Sequence, residues 1–257
     1  MFTVTPIPAF SDNYIWVISL PGNSNVAVVD PGDAQPVNEY LISNQLNLTA
    51  ILITHHHNDH TGGVNDLVET HNVPVYGPAS SPFDGITHPL KDGDSVELLG
   101  SNFEIREIPG HTLDHISYFS AQIRPQIFCG DTLFLAGCGR LFEGTAEQML
   151  QAMKYFADLP DDTQIFCTHE YSLANLNFAL AVEPDNNDIK EAISSCNALR
   201  ADDKPTLPST IQQEKKINPF MRTQHQDVIT AANEFSATQL DSEIEIFASI
   251  REWKNQF

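Results

Sequence analysis

Four histidines and one aspartate lie within six consecutive positions of the segment T-H-H-H-N-D-H-T-G-G at residues 54–63. They are His55, His56, His57, Asp59 and His60. Alternate residues of an extended chain point to the same side, so the first and third histidines can face one metal ion while the second faces away. The aspartate and the last histidine come after the end of the predicted strand at residues 50–54, so they can turn towards a second ion. This density of ligands directly after an apolar run predicts a metal site.

Three further side chains that can bind metals each come directly after a predicted strand: His111, Asp131 and His169. Because strand ends converge at one edge of a sheet, residues far apart in sequence can meet there. The combined set holds five histidines, two aspartates and no cysteine. It therefore suits divalent ions such as zinc, iron or manganese and excludes a structural zinc site made of thiolates.

The number of candidate ligands indicates a catalytic centre. Seven ligands shared by two ions leave coordination positions open, whereas structural zinc closes its shell. Two ions bridged by a carboxylate, about 3.5–4 Å apart, would hold a water and lower its pKa. The expected chemistry is hydrolysis by a metal-held hydroxide. The sequence has no G-x-S-x-G elbow, P-loop or G-x-G-x-x-G turn that would indicate other catalytic machinery.

The charge of the chain limits its partners. Thirteen basic against 34 acidic residues give a net charge of −21, which argues against sequence-independent binding to nucleic acid or to an anionic membrane. The four cysteines form no C-x-x-C pair, and the first residues resemble neither a signal peptide nor a transit peptide. We therefore expect a monomeric cytoplasmic protein with free thiols, which binds a small molecule and neither nucleic acid nor membrane.

The pattern of apolar residues predicts a mixed α/β region followed by a helical one. Strands are predicted at 2–7, 14–20, 26–30, 50–54, 73–77, 95–99, 103–108, 115–120, 126–129 and 164–167, with helices at 37–45, 64–70 and 146–157 between them. After His169 we expect helices at about 172–181, 187–201, 227–235 and 241–255, and an extended, proline-marked stretch at 204–219. This pattern predicts two packed sheets flanked by helices in residues 1–170, and an all-helical domain in residues 171–257.

The motif H-x-H-x-D-H at residues 55–60 resembles the signature of the metallo-β-lactamase superfamily. The resemblance implies an αββα sandwich. It further implies a first metal held by His55, His57 and His111, a second held by Asp59, His60 and His169, and a bridging Asp131. The two aspartates would be the catalytic carboxylates that orient the hydroxide.

Four more segments resemble the hydroxyacylglutathione hydrolases, also called glyoxalase II: A-G-C-G-R-L-F-E-G-T at 136–145, T-H-E-Y at 168–171, N-P-F-M-R at 218–222 and R-E-W-K-N-Q-F at 251–257. The resemblance implies hydrolysis of S-D-lactoylglutathione and other S-2-hydroxyacylglutathiones to the 2-hydroxy acid and glutathione, the second step of methylglyoxal detoxification. Glutathione would be held by Arg140, Tyr171, Arg251 and Lys254. Phe142 stands where relatives often have tyrosine, and Trp253 replaces a residue that is often charged.

Two alternatives remain open at this point. The first is a glutathione persulfide dioxygenase of the same superfamily, which uses a single iron. Its relatives lack the helical tail with the R-x-x-K ending and a full second metal shell. The second is a non-catalytic metal-binding protein on this fold, against which the complete ligand set argues. His71, His88, His115 and His225 show no partner pattern, and we assign them structural roles.

Overall fold

The computed structural model describes residues 2–257, which form two compact units. The first unit runs to Ile108 and includes Asp114–Gly130, and the second comprises Pro109–Leu113 and Asp131–Phe257. The predicted domain boundary near residue 170 lies inside the second unit, and that boundary remains a prediction. Each unit is described separately below.

The first unit begins with a mixed sheet of six strands in sequence order. The strands are β1 (Thr3–Ala9), β2 (Asn13–Ser19), β3 (Asn25–Val29), β4 (Asn47–Leu52), β5 (Val75–Pro78) and β6 (His88–Leu90). The first three pair antiparallel, and the pairs from β3 to β6 are parallel. Parallel neighbours need crossover connections. These are supplied by α1 (Ala34–Asn44) between β3 and β4, and by α2 (Asn58–Thr61) and α3 (Val64–His71) between β4 and β5.

A second, antiparallel sheet completes this unit. Its strands within this unit are β7 (Ser95–Leu98), β8 (Ser101–Glu107), β9 (Ile116–Ser120) and β10 (Gln126–Gly130), each paired with the next. The buried hydroxyl of Tyr118 in β9 donates a hydrogen bond to the carbonyl of Ile53, at 2.7 Å, just beyond β4. This buried hydrogen bond links the second sheet to the first within the unit.

Strand β2 shows how the first sheet buries both of its faces. Ile15 and Val17 belong to the core cluster that includes Val37 of α1 and Leu67 of α3. Trp16 points to the opposite face by the alternation of a strand, and it is also buried. A sheet covered on both faces needs such continuous apolar strands.

The second unit is mostly helical. Its helices are α4 (Ala146–Ala157), α5 (Ser172–Val182), α6 (Asn187–Ala201), α7 (Ile211–Ile217), α8 (Gln226–Ser236) and α9 (Glu243–Gln256), with a 3₁₀ turn at Pro219–Met221. Its strands are short: β11 (Leu133–Phe134) and β12 (Gly137–Cys138) form a hairpin, and β13 (Gln164–Cys167) pairs with β14 (Ser209–Thr210). Among residues 2–257, we find no helix with the length and apolar character needed to cross a bilayer.

One predicted segment was wrong. The stretch 204–219, expected to be extended throughout, contains helix α7. Thr210 caps this helix, because its hydroxyl accepts a hydrogen bond from the backbone amide of Gln213 at 3.2 Å. Ile211 and Ile217 bury its apolar side. The prolines that suggested an extended chain lie outside these two turns, so they do not interrupt the helix.

Candidate metal centre and substrate-binding residues

The H-x-H-x-D-H segment leaves β4 and forms the single turn α2, which contains Asp59 and His60. The rings of His55 and His57 lie with centroids 4.7 Å apart, and the ring of His60 lies 4.0 Å from that of His55. The Nε2 atom of His60 is 3.5 Å from Oδ2 of Asp59. Within the first unit, the structure therefore brings together all four ligands that the motif predicts.

His56 turns away from this cluster. Its Nδ1 atom pairs with the buried carboxylate of Asp114 at 2.9 Å. This arrangement agrees with the expected alternation of an extended segment, in which the middle histidine faces the opposite side.

Asp30 orients two of the ligands and was not singled out in the sequence. It is buried just after β3, and its carboxylate accepts hydrogen bonds from the backbone amide and the hydroxyl of Thr54, both at 2.8 Å, and from His60 Nδ1 at 3.0 Å. Because the Thr54 hydroxyl donates to Asp30, it accepts from His55 Nδ1 at 3.1 Å. Both imidazoles thus carry their proton on Nδ1, so Nε2 is the nitrogen that could bind a metal ion.

His115 also belongs to this region, although the sequence shows no partner pattern for it and predicts only a structural role. It is fully buried, and its ring stacks on that of His55 with centroids 4.6 Å apart and planes 15° from parallel. Gly130 makes room for it: a Cβ at Gly130 would lie 2.3 Å from the Thr54 hydroxyl and 2.9 Å from His115 Nε2. No local pattern could have shown this contact, because it joins positions 60 residues apart.

In the second unit, Asp131 lies between two histidines. Its Oδ2 atom is 3.5 Å from His111 Nε2 and 3.2 Å from His169 Nε2, and all three side chains are buried. The other ring nitrogen of His111, Nδ1, donates to the carbonyl of Arg140 at 2.8 Å. A histidine held through one nitrogen by an oxygen acceptor, with the other nitrogen near a carboxylate, has the environment of a metal ligand. The residues present therefore fit the divalent ions that the sequence predicts.

The backbone next to these ligands is close-packed. A Cβ at Gly139 would lie 2.0 Å from the carbonyl oxygen of Asp131 and 3.1 Å from His111 Nδ1. Only glycine fits at this position. The chain can therefore return past Asp131 and present the Arg140 carbonyl to His111.

The four predicted glutathione-binding residues have different environments. The side chain of Arg140 is exposed, and the half-exposed ring of Tyr171 stacks on His169 with centroids 4.7 Å apart. Lys254 is half-buried, and its Nζ donates to the carbonyl of Ala174 at 3.2 Å. Burial, and next the charge of Arg251, lower the pKa of Lys254 to about 8.

Arg251 is buried, with 6% of its surface exposed, and its Nη1 donates to the carbonyl of Cys138 at 2.7 Å. Its guanidinium also lies over the ring of Phe220, 5.2 Å from the centroid. A direct contact of Arg251 with glutathione remains a prediction. Trp253, for which the sequence offered no function, stacks on Phe235 with centroids 5.4 Å apart, so it contributes to packing.

Comparison with known proteins gives the same family along the whole chain. The model of the metallo-β-lactamase superfamily matches residues 9–169, and that of the hydroxyacylglutathione hydrolase C-terminus matches residues 170–257. Hydroxyacylglutathione hydrolase of Vibrio parahaemolyticus is 51% identical to this chain over the full length of both. This chain belongs to the hydroxyacylglutathione hydrolase family. The hydroxyacylglutathione hydrolase of Chromohalobacter salexigens, also matched over both full lengths, is 49% identical.

Solved structures of more distant proteins show the fold. ETHE1 from Myxococcus xanthus matches with a TM-score of 0.67 at 21% identity, covering 98% of this chain and 91% of its own. BLEG-1 B3 metallo-β-lactamase matches with a TM-score of 0.64 at 24% identity, covering 86% of this chain and 99% of its own. The metallo-β-lactamase fold with a C-terminal helical region, predicted from the sequence, is confirmed, as are the family and the hydrolase class.

Proposed function

We propose that this protein hydrolyses S-D-lactoylglutathione, and other glutathione thioesters of 2-hydroxy acids, to the free acid and glutathione. The observation that carries the proposal is the similarity to hydroxyacylglutathione hydrolases over the full chain, at about half of all positions. It includes the C-terminal region matched by that family's own model. A shared metallo-β-lactamase fold alone would leave the substrate open.

Seven side chains are the metal ligands in this proposal. The first ion would be held by His55, His57 and His111, and the second by Asp59, His60 and His169. Asp131 would be shared by both ions. When bound, two divalent ions lower the pKa of water and polarise a carbonyl oxygen. The donor set, which holds no thiolate, suits zinc, with iron or manganese as alternatives. The identity of the ions belongs to the proposal.

The protein's own groups have separate tasks in this reaction. Asp59 and Asp131 orient the attacking water by accepting its hydrogen bonds. Asn13 holds the Asp59 carboxylate through a hydrogen bond to Oδ2 at 3.0 Å. The leaving group is a thiolate, whose thiol has an ordinary pKa of about 8.5, so no dedicated acid is required. This fits a site whose polar groups are mainly metal ligands.

Glutathione binding depends on local cations. The ligand carries carboxylates, and a protein with a net charge of −21 needs positive groups near the site to admit it. We assign this task to Arg140 and Lys254, with the Tyr171 hydroxyl as a polar contact. The assignments of a cytoplasmic location and a monomeric state remain proposals. The absence of nucleic-acid and membrane partners is a proposal that the net charge of −21 supports.

The decisive experiment compares two thioesters that share the D-lactoyl group. One is S-D-lactoylglutathione and the other is the D-lactoyl thioester of N-acetylcysteamine, assayed on one preparation with its metal content measured. We expect much higher kcat/KM for the glutathione thioester. Equal values for the two would contradict the substrate assignment. Oxygen uptake with glutathione persulfide, and one iron per chain, would instead identify the dioxygenase.

A further inference from the structure

The hairpin formed by β11 and β12, residues 133–138, lies between two proposed functional residues. Asp131 stands two positions before it and Arg140 two positions after it. The Arg140 carbonyl in turn holds His111. The placement of this ligand hairpin therefore affects two proposed metal ligands and one proposed glutathione contact.

Two-residue strands are too short to hold their own position. In the ligand hairpin, each of the five residues from Phe134 to Cys138 has a backbone atom bound to a side chain of the helical region. Asn218 donates to the carbonyls of Phe134 and Gly137, at 3.2 and 2.9 Å. Asn175 donates to the carbonyl of Leu135 at 3.2 Å, and Arg251 donates to the carbonyl of Cys138 at 2.7 Å. The backbone amide of Ala136 donates to Glu214 Oε2 at 2.8 Å.

These side chains form a connected and buried group. Asn218 also donates to Glu214 Oε2 at 3.0 Å, and the two residues lie four positions apart, where α7 ends. Glu214 and Asn218 are fully buried, and Asn175 and Arg251 nearly so. Ala136 adopts a left-handed conformation with φ of 54°, which an alanine rarely adopts. The hydrogen bond from its amide to Glu214 helps to hold that conformation.

We propose that Asn175, Glu214, Asn218 and Arg251, the hairpin clamp, are positioning residues that fix Asp131 and Arg140 for metal and substrate binding. Burying a carboxylate in this place opposes folding unless it is well hydrogen-bonded. Apolar side chains in these places would leave the five buried backbone groups of the hairpin without hydrogen-bond partners. The clamp provides fixed directions at five successive residues, which apolar packing cannot supply.

Only the predicted effect on KM rests on the proposed function, because zinc affinity can be measured without a substrate. Its test uses Glu214→Leu, which removes the acceptor at similar volume, and Glu214→Gln, whose amide oxygen can still accept from Ala136 and Asn218. Asn218→Ser is a milder second variant, since serine can still cap the 3₁₀ turn where the Asn218 side chain now accepts from Phe220. It cannot reach the hairpin.

The matched control is Glu183→Gln. Glu183 is another buried carboxylate of the same unit, but it binds Arg222 through two contacts of 2.8 Å and does not touch the hairpin. Each variant is measured for zinc affinity by competition with a chromophoric chelator, for KM and kcat, and for its thermal midpoint. The control should lower the thermal midpoint and leave zinc affinity near that of the parent.

We expect Glu214→Leu and Asn218→Ser to weaken zinc binding by about 10-fold or more, in the range seen when groups that orient ligands are removed. KM should rise several-fold in both variants. In Glu214→Gln, zinc affinity and KM should stay within about twofold of the parental values, because the acceptor is kept. Parental zinc affinity in folded Asn218→Ser would overturn the inference. The inference would also be overturned if Glu214→Gln lost as much zinc affinity as Glu214→Leu. If the parent itself does not hydrolyse the thioester, the proposed function fails, while zinc affinity still tests the clamp.

Discussion

The ring of Tyr171 lies flat against that of His169, with centroids 4.7 Å apart and planes 3° from parallel. The ring of Tyr171 therefore supports a proposed metal ligand, while its hydroxyl is the group proposed to reach glutathione. Phe134 of the ligand hairpin meets both rings edge-on, at 6.0 Å from His169 and 5.5 Å from Tyr171. The two tasks of Tyr171 can be separated by substitution.

We predict that Tyr171→Phe raises KM by several-fold and leaves zinc affinity unchanged, because the stacked ring remains. Tyr171→Leu removes the ring as well and should also weaken zinc binding. Steady-state kinetics and a chelator competition on both variants provide the measurement. A large fall in kcat for Tyr171→Phe at constant KM would mean that the hydroxyl acts at the reacting carbonyl instead.

We predict that Arg140→Ala raises KM for S-D-lactoylglutathione more than it lowers kcat. The lost cation would bind the remote peptide part of the substrate equally in the ground and transition states. Zinc affinity should stay near the parental value, because His111 is held by the Arg140 backbone carbonyl, which alanine keeps. Arg140→Lys is the control that retains the charge, and it should recover most of the loss in KM.

We predict about two divalent ions per chain in the active protein and loss of activity on chelation, restored by adding metal back. Asp131→Asn should lower both metal content and kcat, because the amide removes the negative charge between His111 and His169. Elemental analysis and kinetics on the same samples measure this, and the far-UV spectrum should remain parental. A single tightly bound ion in fully active protein would contradict the two-metal assignment.

We predict that KM for S-D-lactoylglutathione rises as the pH increases through about 8. The pKa of Lys254 is lowered to about 8, mainly by burial, so its positive charge is lost over this range. Binding a carboxylate favours the protonated form, so affinity is highest below this pKa. Lys254→Arg keeps its charge at all these pH values and should show a flatter KM profile between pH 7 and 9. The same slope in the parent and in Lys254→Arg would exclude Lys254 from substrate binding.

We predict that Glu214 makes the protein less stable as the pH rises. Burial raises the pKa of Glu214 from 4.5 to about 7, although its hydrogen bonds partly oppose this shift. The folded state therefore holds this proton more tightly than the unfolded state. The contribution is complete below pH 4.5 and is lost as the pH rises through about 7. It amounts to about 3 kcal/mol in the free energy of unfolding.

Glu214→Gln isolates this effect because it cannot titrate. The thermal midpoint of the variant minus that of the parent should be several degrees larger at pH 8 than at pH 5, a few degrees for each kcal/mol. The pKa of the Cys196 thiol is raised to about 11, first by burial and then by the charges of Glu170 and Glu214. This thiol therefore stays protonated at both pH 5 and pH 8. A difference that does not change with pH would show that Glu214 is charged throughout.

The sequence by itself identified the family, the fold and the metal-binding motif of this protein. Close spacing made this possible: His55, His57, Asp59 and His60 belong to one strand end and one helical turn, so local geometry brings them together. The placement of His111, Asp131 and His169 after strands likewise predicted their proximity in the second unit. The helical C-terminal region followed from its periodicity, except for α7, where flanking prolines concealed two helical turns.

Only the tertiary structure decided which groups hold these ligands. Asp30 meets His60 across 30 positions, and Glu214 binds the ligand hairpin across 78. Arg251, to which the family resemblance assigns glutathione binding, is buried and donates to the Cys138 carbonyl 113 positions away. Periodicity indicates which side of an element is buried, whereas a hydrogen bond between distant residues depends on how whole elements pack. Long-range packing leaves no local pattern in the chain. For that reason the sequence could indicate the candidate ligands, whereas the residues that position them became visible only in the structure.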